Sequence, residues 1–224
     1  MQISRLPTGI KGLDSLIEGG FPIPSIILVS GSAGSGKTTF AFQFLMEGAK
    51  RGEKGIYIST LSESWDWMLR FMSTFQFFDA RYVEDGTIIY IDLGSELAEL
   101  DEMKILNKIR DVIAYHTPQR MVIDPINVVN NYVKNYRQFM FELVTMLKEW
   151  STVTLLTGEV VEGEKYPVDV GYTADGIISL IMRSEGDIIK RYVQILKMRG
   201  TAHSLSNHPL EITGEGIEVL RARF

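Results

Sequence analysis

The segment from Gly31 to Thr38 carries the clearest chemistry in the chain, because its residues read G-S-A-G-S-G-K-T. It matches the phosphate-binding pattern G-x-x-x-x-G-K-[ST] without deviation. We expect its glycines to adopt backbone angles that turn successive N–H groups toward one anion. Lys37 would reach the β- and γ-phosphates of a nucleotide, and the Thr38 hydroxyl would bind Mg²⁺. The alternative is a glycine-rich turn with an exposed lysine.

We therefore predict a site for a nucleoside triphosphate, most simply Mg-ATP. The residues expected to contact the nucleotide in this segment are Gly31, Gly34, Ser35, Gly36, Lys37, Thr38 and the adjoining Thr39. Such a site needs a carboxylate at the end of a nearby strand to hold the magnesium ion, usually through water. Asp124 ends the apolar run 121–123 and is the candidate. Because the pair Asp-Pro is also typical of turns, a turn at the end of the strand is the alternative.

The elements that must position these residues alternate along the chain. Short apolar runs typical of strands lie at 25–30, 55–59, 87–91, 120–124 and 152–157. Helical candidates lie at 38–50 and at about 62–77, 101–115 and 135–149. This alternation predicts an α/β fold in which a mainly parallel, twisted sheet carries helices on both faces. Toward the C-terminus, 176–182 and 188–198 predict a β-hairpin, and a last short pair is expected near 212 and 217–220.

Composition narrows the class of protein. The formal net charge of the 224 residues is -5, so a generally basic surface for nucleic acid is absent. The chain has no cysteine, which excludes disulfides and thiolate zinc sites and agrees with a cytoplasmic location. We expect no membrane span, because no stretch approaches about 18 uninterrupted apolar residues. The first residues also lack the basic start and apolar run of a secretory signal.

Segments along nearly the whole chain resemble the KaiC-like branch of the RecA superfamily of P-loop ATPases. They begin with T-G-I-K-G-L-D at 8–14 and G-G-F-P at 19–22, and they include the phosphate loop with Q-F-L at 43–45. The stretch K-M-R-G-T-A-H at 197–203 is far more particular to this branch than the phosphate loop, which many unrelated NTPases share. The resemblance implies a RecA-like fold, and we expect one domain over residues 1–224.

In that family the subunits form rings, commonly hexamers, with nucleotide between neighbours, and the resemblance implies the same homo-oligomer here. Lys197 and Arg199 match positions that reach the γ-phosphate across the interface, where a cation stabilises transition-state charge. Further contacts implied from the same edge are Met198, Thr201, His203 and Thr213. The alternative is an exposed sheet edge with ordinary Lys and Arg side chains.

Hydrolysis depends on a segment where the sequence departs from the family. The KaiC-like pattern has two adjacent glutamates after the second strand, where a glutamate polarises the attacking water. Here 59–64 reads S-T-L-S-E-S, with Glu63 as its one carboxylate. Counting from the downstream helix puts Glu63 on the second glutamate, whereas counting from Gly55 leaves no carboxylate on either. Glu63 is the candidate base, and a helix N-terminal glutamate beside a Ser62 cap is the alternative.

The predicted helix at 62–77 is unusually rich in aromatic residues. Trp67, Phe71, Phe75 and Phe78 fall at helical spacing, so we expect this stripe to pack against the sheet. Trp65 lies off the stripe and is expected to be free to meet a neighbouring subunit or a partner. Thr74 matches a nucleotide-contacting position of the family.

Three functions stay open. The first is a KaiC-like regulatory ATPase with slow or conditional hydrolysis. The second is an ATP-dependent binding module without turnover, such as the accessory ATP-binding subunit of the archaellum motor. The third is a RadA-like recombinase paralogue, which would bind DNA through loops at 125–137 and 159–172. The second loop opposes phosphate binding by its own charge, since it holds four acidic residues against a single lysine, namely Glu159, Glu162, Glu164 and Asp169 against Lys165. DNA binding is therefore disfavoured, and the sequence identifies no protein partner.

Overall fold

Strands and helices alternate through the computed structural model, which describes residues 3–161 and 163–221. The strands of this part of the chain are β1 (Arg5–Leu6), β2 (Phe21–Pro22), β3 (Ser25–Gly31), β4 (Gly55–Ser59), β5 (Ile88–Asp92), β6 (Arg120–Asp124), β7 (Val153–Glu159), β8 (Gly176–Glu185), β9 (Ile188–Met198), β10 (His208–Thr213) and β11 (Gly216–Val219). The α-helices are α1 (Lys37–Lys50), α2 (Trp65–Met72), α3 (Arg81–Glu84), α4 (Glu102–His116), α5 (Tyr136–Leu147) and α6 (Val168–Thr173). Glu162, predicted within an acidic loop, lies outside the described residues.

One large sheet organises these elements in the order β11-β10-β9-β8-β3-β7-β6-β4-β5. The six neighbouring strands β8, β3, β7, β6, β4 and β5 pair in parallel. The other three strands, β9, β10 and β11, extend the sheet from β8 by antiparallel pairing. Separate apolar cores cover the two faces, one centred on α1 and the other on α4 and α5. The predicted fold class is thus confirmed, including the C-terminal hairpin. No helix in the described residues is long and apolar enough to cross a membrane.

The register of the sheet decides which residues meet at each end. Gly31 is aligned with Glu159, and Ser59 is aligned with both Asp92 and Asp124. All five residues therefore lie at the end of the sheet where the parallel strands finish. Because β9 runs antiparallel to β8, its last residues lie at the other end, near the start of β3.

The helix predicted at 62–77 is shorter than expected, since α2 covers only Trp65–Met72. Ser64 caps it by accepting a hydrogen bond from the Trp67 N–H, which places the start one turn later than predicted. After Met72 the chain turns, and the Thr74 hydroxyl donates to the Phe71 carbonyl at 2.7 Å. Competition of this kind from a hydroxyl is a known way to end a helix.

The predicted aromatic stripe on this helix is wrong in part. Trp67 is 50% exposed and Phe71 is 48% exposed, whereas Met68 and Met72 are buried. Trp65, predicted to lie off the core, packs on the ring of Phe78 at 6.0 Å and on Tyr90 at 5.5 Å. The helix turns its 65, 68 and 72 positions inward, which is also an i, i+3, i+7 set.

Candidate nucleotide-binding site

The phosphate loop joins β3 to α1 and has the backbone shape that the motif predicts. Gly34 and Gly36 have φ angles of +77° and +104°, in the region that favours glycine. Gly31 needs to be glycine for a different reason from the one expected, since its φ is not positive. A Cβ there would lie 2.4 Å from Ser35 Oγ and 2.6 Å from the Leu180 carbonyl oxygen.

Lys37 opens α1 and folds back over the loop. Its Nζ donates to the carbonyl oxygens of Gly31 at 2.8 Å and Ser32 at 2.9 Å. Burial lowers the pKa of this ammonium, and the charges of Glu159 and Asp124 oppose the shift. The Lys37 ammonium is thus attracted by two nearby carboxylates, but its hydrogen bonds are to carbonyl oxygens. A bound phosphate can replace these carbonyl oxygens as the acceptor. Ser35 and Thr39 flank it, Ser35 buried and Thr39 half-buried.

Asp124 lies at the end of β6 with 6% of its surface exposed, and hydroxyl groups surround its carboxylate. Thr38 Oγ1 donates to Oδ2 at 2.8 Å, and the Tyr57 hydroxyl donates to the same oxygen at 2.6 Å. Thr157 Oγ1 donates to Oδ1. The motif threonine and the predicted magnesium carboxylate, 86 positions apart in sequence, therefore meet directly.

This donor set suits magnesium. Hydroxyl and carboxylate oxygens are hard ligands, and Mg²⁺ is usually held by one or two protein oxygens together with phosphate oxygens and water. No group of three or more His, Asp or Glu side chains arranged to hold a metal occurs within residues 3–161 and 163–221. A magnesium ion here would therefore be held by Thr38 and Asp124 jointly with the nucleotide.

Glu63 follows β4 at the same end of the sheet. Partial burial raises the pKa of its carboxyl group, and the charges of Asp124 and Asp92 raise it further. Ser59, four residues before Glu63, is aligned with Asp124 in the sheet, so Glu63 follows a strand end that lies beside Asp124. The backbone of Glu63 is fixed, because the Tyr90 hydroxyl donates to its carbonyl oxygen at 2.6 Å. The preceding Ser62 has a φ of +54°, so the loop makes a sharp turn just before the candidate base.

Lys197 and Arg199 lie at the opposite end of the sheet from this cluster. Lys197 is aligned with Ile177 near the start of β8, and the Arg199 N–H donates to the Asp175 carbonyl. Asp175 in turn bonds the backbone of Ile26, at the start of β3. The Arg199 backbone is therefore about five residues, or roughly 16 Å, from the level of Gly31 along the strands.

The side chains of these two cations bond to groups of their own chain. Arg199 Nη1 lies 2.9 Å from Asp175 Oδ1, and Lys197 Nζ donates to the Ala174 carbonyl oxygen. Burial lowers the pKa of Lys197, an effect that the charge of Arg199 reinforces. Both side chains thus bond to groups within residues 171–175.

The residues next to these cations differ in burial and in hydrogen bonding. Thr201 accepts a hydrogen bond from Arg5 at 3.0 Å, and His203 is half-buried beside the Ser204 carbonyl. The Met198 side chain is 4% exposed and packs into the core, so any contact between Met198 and nucleotide must come from its backbone.

Thr213 is not on the edge predicted for it. β10 runs antiparallel to β9, so its last residue lies at the end of the sheet that carries the chain's own phosphate loop. The side chain of the adjacent Ile212 covers Gly36, where its Cδ1 lies 2.6 Å from the position of a Cβ. The Gln76 N–H donates to the Gly214 carbonyl at 2.8 Å, which brings Thr74 to the same side. Thr74 and Thr213 therefore flank the chain's own loop and are separated from Thr201 and His203.

Sequence reasoning missed the side chains that support Asp124, namely Tyr57 and Thr157, and it missed Asp175. Each is a polar group in or beside an apolar strand, which is the one signal that would have drawn attention to them. Burial and the charge of Asp124 raise the pKa of Tyr57, so this phenol remains a hydrogen-bond donor.

Comparisons of the chain with family models, curated proteins and solved structures agree with one another. A family model described as ATPase: KaiC matches residues 6–223 of the chain. A UPF0273 protein of Methanopyrus kandleri is 30% identical over 237 residues, which are 98% of this chain and 93% of that protein. The circadian clock oscillator protein KaiC of Parasynechococcus marenigrum is 32% identical over 98% of this chain, which spans 45% of the clock protein. A solved structure of a KaiC-like protein from Pyrococcus horikoshii superposes with a TM-score of 0.88 at 34% identity, over 98% of this chain and 100% of that one.

Proposed function

The chain belongs to the KaiC family of ATPases, and on that premise we propose that it binds Mg-ATP at the loop from Gly31 to Thr38. The observation that carries the proposal is the 2.8 Å hydrogen bond between Thr38 and Asp124, beside a loop in which Gly34 and Gly36 have positive φ angles. Backbone N–H groups and the N-terminus of α1 would bind the phosphates, with Lys37 moving from its carbonyl partners to them. Magnesium, when bound, would neutralise phosphate charge.

Nucleotide binding is proposed to be completed by a neighbouring subunit of a homo-oligomeric ring. A single chain cannot bring Lys197 or Arg199 to its own phosphates, because roughly 16 Å of strand separates the level of Arg199 from that of Gly31. The same cations lie at a sheet end that another copy can approach. A ring in which each subunit offers this end to the next would bring both to the γ-phosphate, where they would stabilise transition-state charge. A hexamer is the size that the family resemblance implies.

Hydrolysis, slow or conditional, is the further part of the proposal, with Glu63 as the base that polarises the attacking water. Its support is the raised pKa of Glu63, which Asp124 and Asp92 reinforce, because a base whose pKa is closer to neutrality takes a proton more readily. A cytoplasmic location, proposed from the cysteine-free sequence, belongs to the same account.

A second candidate function is ATP-dependent binding without turnover. One specific observation favours it: Ser62, with its φ of +54°, stands at a sharp turn, and counting from the downstream helix puts it where the family pattern has the first of two glutamates. A chain with one carboxylate in this loop could bind nucleotide, assemble and engage a partner without hydrolysis. Turnover by the assembled protein separates the two candidates.

The mass of the protein in solution tests the shared proposal. Light scattering coupled to size exclusion should show a larger assembly with Mg-ATP than without nucleotide. If the mass is the same in both conditions and corresponds to a single chain of 25.3 kDa, the interfacial site is wrong.

A further inference from the structure

Tyr57 is a phenol at the centre of the fully buried strand β4, G-I-Y-I-S, and it is 1% exposed. Its ring stacks on Phe42 with centroids 4.4 Å apart and on Tyr90 with centroids 5.4 Å apart. The two stacking contacts and the surrounding core fix the ring, so they also fix the direction of its hydroxyl. That hydroxyl donates to Asp124 Oδ2 at 2.6 Å.

Solvent has little access to the Asp124 carboxylate, since the residue is 6% exposed. A buried carboxylate must be satisfied by protein donors, and here both of its oxygens accept from hydroxyls. Oδ1 accepts from Thr157, and Oδ2 accepts from Tyr57 and Thr38. Thr38 belongs to the phosphate loop and would be shared with magnesium. The bonds from Tyr57 and Thr157 come from strands β4 and β7, so they hold the carboxylate plane from the rigid sheet.

We propose that Tyr57 is a positioning residue that orients Asp124 for magnesium and thereby sets the magnesium affinity of the nucleotide site. This proposal rests on the Mg-ATP binding proposed above. Partners that orient a metal-binding carboxylate typically contribute about 10–100-fold to metal affinity. In this role Tyr57 acts through Asp124, the acceptor of its hydroxyl.

Tyr57→Phe removes the hydroxyl and keeps the ring, so the stacking contacts remain. Tyr90→Phe is the matched control, because it removes a second hydroxyl from the same stack. The Tyr90 hydroxyl donates to the Glu63 carbonyl oxygen at 2.6 Å, whereas the hydroxyls that donate to Asp124 are those of Thr38, Tyr57 and Thr157. Any general effect of losing a phenol from this part of the core should therefore be seen in both variants.

The experiment is calorimetric titration of ATP into each protein over a series of Mg²⁺ concentrations, with a parallel series in EDTA. Tyr57→Phe should need about tenfold more Mg²⁺ for half-maximal tightening of ATP binding. Its ATP affinity in EDTA should equal that of the parent, since a merely structural loss would weaken both. Tyr90→Phe should show the magnesium dependence of the parent.

The outcomes separate this inference from the function it rests on. If the parent binds Mg-ATP and Tyr57→Phe has the parent's magnesium dependence, the role of Tyr57 is wrong and the function stands. Equal shifts in both variants, or a Tyr57→Phe protein that does not fold, would show a structural hydroxyl and also overturn the inference. If the parent binds no Mg-ATP, the proposed function fails first.

Discussion

Arg199 Nη1 lies 2.9 Å from Asp175 Oδ1, at the end of the sheet farthest from the chain's own phosphate loop. The same carboxylate accepts from the Ile26 N–H at 3.1 Å and pairs with Lys148 at 3.5 Å. Arg199 is thus tied to the start of the central strand β3 by a group that is itself well anchored. In a ring, this arrangement would hold the guanidinium at the surface, ready for a neighbour's phosphates.

Arg199→Ala should leave ATP binding to a single chain nearly unchanged and weaken ATP-dependent assembly. Where turnover is measurable, it should fall on the order of 10³-fold, because a cation acting on the transition state is lost. Mass in solution and phosphate release check the two effects. Arg183→Ala, an exposed arginine on the same hairpin, should behave like the parent. Assembly and turnover of Arg199→Ala at parental levels would contradict a role across the interface.

Glu63→Gln should abolish phosphate release and keep Mg-ATP binding, since the substitution removes the base and preserves the size of the side chain. Phosphate release and ATP titration on the same preparation are the measurements. Glu99→Gln, on an exposed glutamate outside the site, serves as the control. Turnover that persists in Glu63→Gln would show that another residue is the base. A parent without turnover in any assembly state would favour the binding module.

Much of the fold was predictable because its signals are local. The phosphate motif, the apolar strands and the alternation with helices each depend on a few neighbouring residues, and the structure has all of them. The face that α2 buries was not predictable in the same way. Two helical sets compete there, one of aromatic residues through Trp67 and Phe71 and one through Trp65, Met68 and Met72. Periodicity alone does not choose between them, and in the folded protein Met68 and Met72 are buried and Trp65 is partly buried against the core.

The candidate site likewise contains residues that local sequence identifies and residues that only the order of the strands brings together. Lys37 and Thr38 belong to a contiguous motif and could be identified directly, whereas Tyr57 and Thr157 reach Asp124 only through the order and register of strands β4, β6 and β7. A single sequence does not specify which parallel strands lie side by side. The misplacement of Thr213 has the same origin, because its position depends on the antiparallel pairing of β10 with β9.

Arg120 should be a large contributor to stability, because it is a fully buried cation with 0% exposure. It pairs with Glu53 at 2.6 Å and donates to the carbonyl oxygens of Pro7 at 2.8 Å and Phe44 at 2.9 Å. Arg120→Met leaves Glu53 and two carbonyls without this donor. The free energy of unfolding should fall by about 3 kcal/mol. Urea unfolding measures it, with the exposed Arg110→Met as control. Equal, small losses in both variants would contradict this role.

His208 should make stability sensitive to mild acid. Burial lowers the pKa of this histidine below its usual 6.5 in the folded protein. As pH falls through about 6.5, the unfolded chain gains a proton that the folded chain resists, so the free energy of unfolding decreases. His208→Gln removes this contribution, and its unfolding free energy should drop less than that of the parent between about pH 7.5 and about pH 5.5, a window that spans the usual histidine pKa. Urea unfolding at both pH values checks it, and an unchanged drop would contradict the assignment.

The central claim is that the loop from Gly31 to Thr38 holds a triphosphate. Calorimetric titration of Mg-ATP into the parent and into Lys37→Ala tests it most directly, with thermal unfolding to show that both are folded. The account predicts saturable binding by the parent and a loss of affinity of at least about tenfold in the variant, since a charge-assisted hydrogen bond to phosphate contributes about 1.5–3 kcal/mol. Absence of binding by the parent, or equal affinities for the two proteins, would contradict it.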